Sequence, residues 1–223
     1  MTVELCLFDI DGTLVDTGGA GMRALEETAQ CLFGARGPKL DLAGSTDSGL
    51  VIEMYEHFGE VMSGDSLGRF YSHYLERLEW NLAHGGFGGR VLPGVVEMLD
   101  RLAGDGSVSV GLLTGNIADG ARAKMRHFGL DHHFPFGAFG DDHHDRNLLG
   151  PVALERAARH AGREFQAGTT LVIGDTPKDI RCARAMGARC LAVATGSFSA
   201  TQLREQGAEI VVESLVGVEI GDC

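Results

Sequence analysis

Three short apolar runs in this chain each stop on a polar residue capable of chemistry, and each is followed by a helical pattern. Leu5-Cys6-Leu7-Phe8 stops on Asp9, with Asp11 two residues on and Gly12-Thr13 making a tight turn. Val108 to Leu113 stops on Thr114-Gly115-Asn116, and Thr170 to Ile173 stops on Gly174-Asp175, with Asp179 four further along. Continuous apolar runs of this length read as strands buried on both faces. Strands alternating with helices predict an α/β fold with a Rossmann-like, doubly wound parallel sheet. In such a sheet the carboxyl ends of the strands share one edge, and ligands bind there. Residues far apart in sequence therefore meet.

The remainder of the chain fills in this pattern. Helices are expected from Pro93-Gly94 through Leu102, around Ala121 to Phe128, after Pro151, and from Pro177 to Gly187, with a short one over Ala200 to Gln206. A short, weak strand is expected near Phe136 to Phe139, and further strands at Cys190 to Ala194 and Ile210 to Val212. Between Ala20 and Ala83 the periodicity is helical throughout. One helix runs from Met22 to about Gly34, one begins at Asp47 as its cap and closes at Gly59, and one carries Leu67, Phe70, Tyr74, Leu78 and Leu82. Glycine-rich crossings, residues 17–21 and 85–89, flank this block. It is expected to be an inserted all-helical cap domain over residues 17–89, with residues 1–16 and 90–223 forming the core.

With 31 acidic against 19 basic side chains, the formal net charge is −12. That balance argues against nucleic acid or an anionic membrane as partner through a broad basic surface. No run of about 18 apolar residues exists to span a membrane. The N-terminal stretch carries acids where a signal peptide carries bases, and the five cysteines form no CxxC pair, as expected of a cytoplasmic protein.

Acids gathered around an anionic substrate repel it unless a cation intervenes, and Mg²⁺ suits hard oxygen ligands. A carboxylate such as Asp9 can act as a nucleophile and form an aspartyl-phosphate. Asp11 can then serve as general acid and later as base. The Thr114 hydroxyl, the amides at Gly115 and Asn116, and a cationic side chain can bind the phosphoryl oxygens.

The segments Asp9-Ile10-Asp11-Gly12-Thr13-Leu14, Leu112-Leu113-Thr114-Gly115-Asn116 and Ile173-Gly174-Asp175-Thr176-Pro177-Lys178-Asp179 resemble motifs I, II and IV of the haloacid dehalogenase-like hydrolase superfamily. The resemblance spans essentially the whole chain, the helical block standing in the place of the C1 cap. It implies Asp9 as nucleophile, Asp11 as acid and base, and Mg²⁺ held by Asp9, the Asp11 carbonyl and Asp175, with Asp179 and Thr13 supporting that site from behind. The chain departs from the family at motif III, where a Lys is usual. No Lys lies between Lys124 and Lys178, and Arg146, 29 residues before Asp175, occupies the expected place. An Arg can bind phosphate bidentately. Lys178 is the rival cation.

Dehalogenases of the family lack the second acid of motif I, so Asp11 favours a phosphate monoester whose leaving alkoxide needs a proton. Phosphonate-cleaving members use a cap Lys, and Lys39 alone is available in the block, in a Gly/Pro-flanked loop. The chain is most similar to the phosphoglycolate phosphatase-like branch, and Gly44-Ser45-Thr46-Asp47 resembles the cap loop of that branch. The expected activity is Mg²⁺-dependent hydrolysis of a small phosphorylated metabolite. A sugar phosphomutase and a catalytically silent binder of such a metabolite are the alternatives. Gly140-Asp141-Asp142 imitates motif IV but lies too close to motif II. The pairs His132-His133 and His143-His144 read as exposed loop residues rather than metal ligands.

Overall fold

The fold was established from a computed structural model describing residues 2–222. Met1 and Cys223, the outermost residues of the expected core, lie outside the described residues. In chain order the strands are β1 (Leu5–Phe8), β2 (Val15–Asp16), β3 (Arg90–Val91), β4 (Ser109–Leu113), β5 (Gly137–Ala138), β6 (Thr170–Gly174), β7 (Arg189–Val193) and β8 (Ile210–Val212). The helices are α1 (Ala20–Phe33), α2 (Asp47–Phe58), α3 (Gly64–His84), α4 (Val95–Asp105), α5 (Ala118–His127), α6 (Leu149–Ala161), α7 (Pro177–Met186) and α8 (Ala200–Glu205).

The main sheet is parallel, in the order β5-β4-β1-β6-β7-β8. Its central strand explains why. Successive side chains of a strand point to opposite faces, and in β1 all four are apolar and fully buried. Cys6 and Phe8 pack with Val95, Met98 and Leu99 of α4 and Met125 of α5. Leu5 and Leu7 face the other way, onto Leu149, Ala153 and Ala157 of α6 and Ala183 of α7. Two apolar faces require cover on both sides, which helical crossovers supply. The chain leaves β1 for β4 and β5 on one flank and returns to β6 on the other, so the direction reverses at β1.

Residues 20–84 contain three helices, as their periodicity predicts. Leu25, Met54, Tyr55, Phe70, Tyr74 and Leu78 form a separate apolar cluster, joined only at its edge by Ile117 and Ala123 beside and within α5. Phe70 is fully buried, with the Phe33 and Tyr55 rings 6.5 and 6.4 Å away.

Several boundaries differ from the sequence expectation. Asp47 is not the cap of α2: the Thr46 Oγ1 caps it by accepting from the Gly49 N–H, and Asp47 is its first residue. α6 starts two residues before Pro151, and the strand near Phe136 shrinks to Gly137–Ala138. The ribbon in which Val15–Asp16 pairs antiparallel with Arg90–Val91 was not anticipated, because two-residue strands carry no measurable period.

Phe70→Ala is expected to lower stability by about 3–5 kcal/mol, as for other buried aromatics truncated in a packed core; urea unfolding followed by circular dichroism measures it.

Candidate active site

The direction reversal at β1 puts Asp9, Thr114 and Asp175 at adjacent strand ends. The Asp9 N–H donates to the Ile173 carbonyl (2.9 Å), which extends the β1–β6 pairing by one residue. Asp9 and Asp175 are thereby held side by side. One carboxylate oxygen each from Asp9, Asp175 and Asp179 lies within 4.8 Å of the others, and all three residues are buried.

The turn after β1 wraps one of these acids. Gly12 has φ +81°, a conformation that side chains disfavour, and a Cβ there would collide with Asp175 Oδ2. Gly196, after β7, approaches the same oxygen closely enough that a Cβ would also collide. Thr13, fully buried, donates its hydroxyl to Asp175 Oδ1 (3.1 Å), and Thr195 donates to the Gly12 carbonyl (2.6 Å). Asp175 is thus fixed on one oxygen by Thr13 and enclosed by two glycine backbones.

Asp179 has a different position. The Thr176-Pro177-Lys178-Asp179 stretch is a capping box opening α7, with Pro at its start. The Thr176 N–H (3.0 Å) and hydroxyl (2.7 Å) both donate to Asp179 Oδ2, while Oδ1 accepts from Arg146. Both oxygens of Asp179 are therefore committed.

Arg146 sits in a 3-10 turn before α6 and is buried. Its Nη2 contacts Asp179 Oδ1, Asp9 Oδ1 (3.2 Å) and the Leu113 carbonyl (3.2 Å), and its Nη1 donates to the Gly44 carbonyl (3.0 Å). Lys178 points elsewhere: it pairs with Asp41 (3.1 Å) and Ser45 on the far side of the Gly44–Ser45 backbone. The cation facing Asp9 is Arg146.

Burial pushes the Asp9 carboxyl up to about 6, the Arg146 guanidinium pulling it back and the neighbouring acids Asp179 and Asp11 adding to the rise. Burial, then Asp179 and Asp9, pushes Asp175 well above the usual carboxylate range. The site as folded has more negative charge than its own cation neutralises. A hard divalent cation between Asp9 and Asp175 would restore the balance, and an all-oxygen donor set suits one.

Asp11 lies outside this carboxylate cluster, and its side chain turns the other way. Lys124 Nζ (2.6 Å) and Asn116 Nδ2 (2.8 Å) both donate to its Oδ2. Lys124 also donates to Asn116 Oδ1 (2.6 Å), and Asn116 Nδ2 donates to Thr114 Oγ1 (2.9 Å). Only 4 % of the Lys124 side chain is exposed. Sequence reasoning missed this residue, since a Lys on an amphipathic helix ordinarily faces water. Thr114 is fully buried behind Gly115 and Asn116, which line the cavity.

That cavity, about 380 Å³, lies between the strand ends and residues 42–45. A larger one, about 520 Å³, opens beside Phe134, Phe136 and His160 and includes none of Asp9, Thr114 or Asp175.

The segment 44–48 is fastened to the core. The Asp47 N–H donates to the Gly115 carbonyl (2.7 Å), and Thr46 donates its hydroxyl to the His144 carbonyl (2.6 Å). Ser48 donates to the Gly140 carbonyl. Asp47 Oδ2 accepts from the Ile117 N–H (2.9 Å) and Asp141 Oδ1 from the Ala118 N–H (2.9 Å). α5 has no capping side chain of its own, so these two acids supply it, one of them from the helical segment. The neighbouring Asp142 forms a two-pronged pair with Arg156 (both contacts 2.6 Å). The His143 Nδ1 accepts from the Asp145 N–H, and the His132 and His133 rings lie 4.0 Å apart, tilted by 39°.

The chain matches the family model described as "Haloacid dehalogenase-like hydrolase" over residues 6–193, and it belongs to that family. Among similar proteins, phosphoglycolate phosphatase 1 of Pseudomonas aeruginosa is 26% identical, over 95% of this chain and 77% of its own length. Solved structures share the fold. CbbY of Rhodobacter sphaeroides, in complex with phosphate, gives a TM-score of 0.75 at 19% identity, covering 97% of this chain and 96% of that one. The beta-phosphoglucomutase of Clostridium difficile gives 0.70 at 17%, covering 100% and 95%. No helix among the described residues is long and apolar enough to cross a membrane.

Asp47 provides a pH test. Burial raises its carboxyl from 3.8 to about 6, with Lys124 and the Ile117 N–H partly offsetting the rise. A raised folded-state pKa means the folded chain holds the proton longer than the unfolded one. Its stabilisation is complete below about pH 4 and is lost as pH rises through about 6, a change on the order of 3 kcal/mol. Asp47→Asn is expected to flatten that part of the stability profile, as measured by urea unfolding at steps between about pH 4 and 8.

Proposed function

We propose that this protein is a Mg²⁺-dependent phosphatase that hydrolyses a small phosphomonoester through an aspartyl-phosphate on Asp9. The observation that carries the reading is the division of labour between the two acids of the first turn. Asp9 is buried beside Arg146 and Asp175. Asp11 is held by Lys124 and Asn116, its side chain 42 % exposed. One acid is suited to attack and the other to proton transfer.

Mg²⁺ would be held by Asp9 and Asp175 with the Asp11 carbonyl, and would supply the positive charge that lets a phosphate dianion approach these acids. Arg146 orients Asp9, and the Gly115 amide receives a phosphoryl oxygen, joined by the Asn116 N–H once it turns from the Thr114 hydroxyl oxygen that it meets at 3.3 Å. The Asp9 carboxylate attacks phosphorus while the bond to the leaving oxygen breaks and Asp11 delivers its proton there. With Oδ2 occupied by Lys124 and Asn116, Oδ1 is the oxygen that carries this proton. Water then attacks the aspartyl-phosphate, Asp11 takes the water's proton, and the bond from phosphorus to Asp9 breaks, which releases inorganic phosphate and restores both acids. Asp179 and Thr13 act from behind, by holding Arg146 and Asp175. Residues 17–89 act as a cap that closes over the site and excludes bulk water. The 380 Å³ cavity, at the small end of ligand sites, suits a phosphoryl group with a short tail.

Asp9→Asn is expected to abolish phosphate release from 4-nitrophenyl phosphate with Mg²⁺ while leaving the circular dichroism spectrum unchanged; retained turnover would overturn the mechanism. A phosphomutase would instead convert a hexose 1-phosphate to the 6-phosphate without net release. Lys124→Met is expected to lower kcat by about tenfold or more with KM little changed, because it removes a charged partner of the proton carrier rather than a substrate contact. Lys124→Arg should recover part of the loss, which steady-state kinetics would show.

A further inference from the structure

We infer that the leaving group accepted by this site is an uncharged short alcohol, a glycol, polyol or small sugar, and not one bearing a carboxylate or a second phosphate. The inference rests on the phosphatase reading above and narrows its substrate class.

The charged residues lining the cavity are Asp9, Asp11, Asp16, Asp175 and Arg146: four acids and one cation among the described residues. That cation is already engaged at the phosphoryl end by Asp9 and Asp179. The other cations near the cavity are committed behind its walls. Lys124 is bound by Asp11 and Asn116. Lys178 is bound by Asp41 and Ser45 on the opposite side of the loop. Arg90 is exposed, 3.6 Å from Asp16, and does not line the cavity. A carboxylate two or three bonds beyond the phosphoryl group would leave water and find no cation that is not already paired with an acid. Burying an unpaired charge is strongly disfavoured.

A hydroxyl-bearing tail meets better terms. Thr17 and Ser197 line the cavity, and neither hydroxyl is engaged in a hydrogen bond among the described residues. Both can donate and accept. Leu42 and Ala43, both half-buried, offer apolar surface to the carbons between the hydroxyls. The site is therefore complementary to a short polyol chain.

Two esters that differ in little beyond this charge make the test: 2-hydroxyethyl phosphate, ending in an alcohol, and phosphoglycolate, ending in a carboxylate. The full chain is assayed with Mg²⁺ for phosphate release from each, with 4-nitrophenyl phosphate as the control for the reaction class. The expected result is a kcat/KM about tenfold or more higher for 2-hydroxyethyl phosphate. Ser197→Arg, which adds a cation at an exposed point of the lining, should narrow that ratio in favour of phosphoglycolate. Equal or better turnover of phosphoglycolate by the unaltered protein, or a ratio that Ser197→Arg does not move, overturns the inference while leaving the phosphatase reading standing. No phosphate release from any of the three esters overturns the phosphatase reading, and the inference with it.

Discussion

A guanidinium buried among carboxylates organises the carboxyl edge of this sheet. Arg146 touches Asp9 at the end of β1, Asp179 in the first turn of α7, the Leu113 carbonyl at the end of β4 and the Gly44 carbonyl in the helical segment. Four stretches of chain far apart in sequence thus meet at one planar group. Its fork of donors suits this better than a lysine ammonium would, because each N–H is aimed before the partner arrives. Breaking one arm would leave a buried charge uncompensated, which is more costly than the pair is stabilising. The position of Asp9 therefore depends on all of these partners at once.

The second acid is supported by a separate network. Thr114, Asn116, Lys124 and Asp11 are linked by hydrogen bonds of 2.6–2.9 Å that do not include Arg146. Two carboxylates two residues apart are thus kept in unlike surroundings, one buried with Asp175 and Asp179 and one half-open to the cavity. Such separation of environments is how paired acids acquire different tasks.

Much of this was legible in the sequence because strand ends are easy to read. Apolar runs that stop on Asp9, Thr114 and Gly174-Asp175 require both a parallel sheet and a common edge, and the observed sheet has both. Arg146 could be picked out by its interval from Asp175. Lys124 could not, since amphipathic periodicity records which residues are polar and not which polar residue turns inward. Asp47 was misread for a related reason: an Asp at the start of a helix looks the same whether it caps its own helix or a neighbour's. The β2–β3 ribbon escaped because its pairing is longer-range than any local pattern.

The attachment of residues 44–48 to the core relies largely on main-chain groups. The carbonyls of Gly115, Gly140 and His144 and the amide of Ile117 receive or supply the core's half of these bonds. Main-chain groups are the same whatever residue bears them. The adjoining positions, Leu42 and Ala43, line the cavity without taking part in that attachment. Substitutions there can accumulate while the loop keeps its seat, so a lineage could exchange one ester for another without rebuilding the machinery beneath. Diversification of substrate in a chain built this way is a matter of a few adjacent codons.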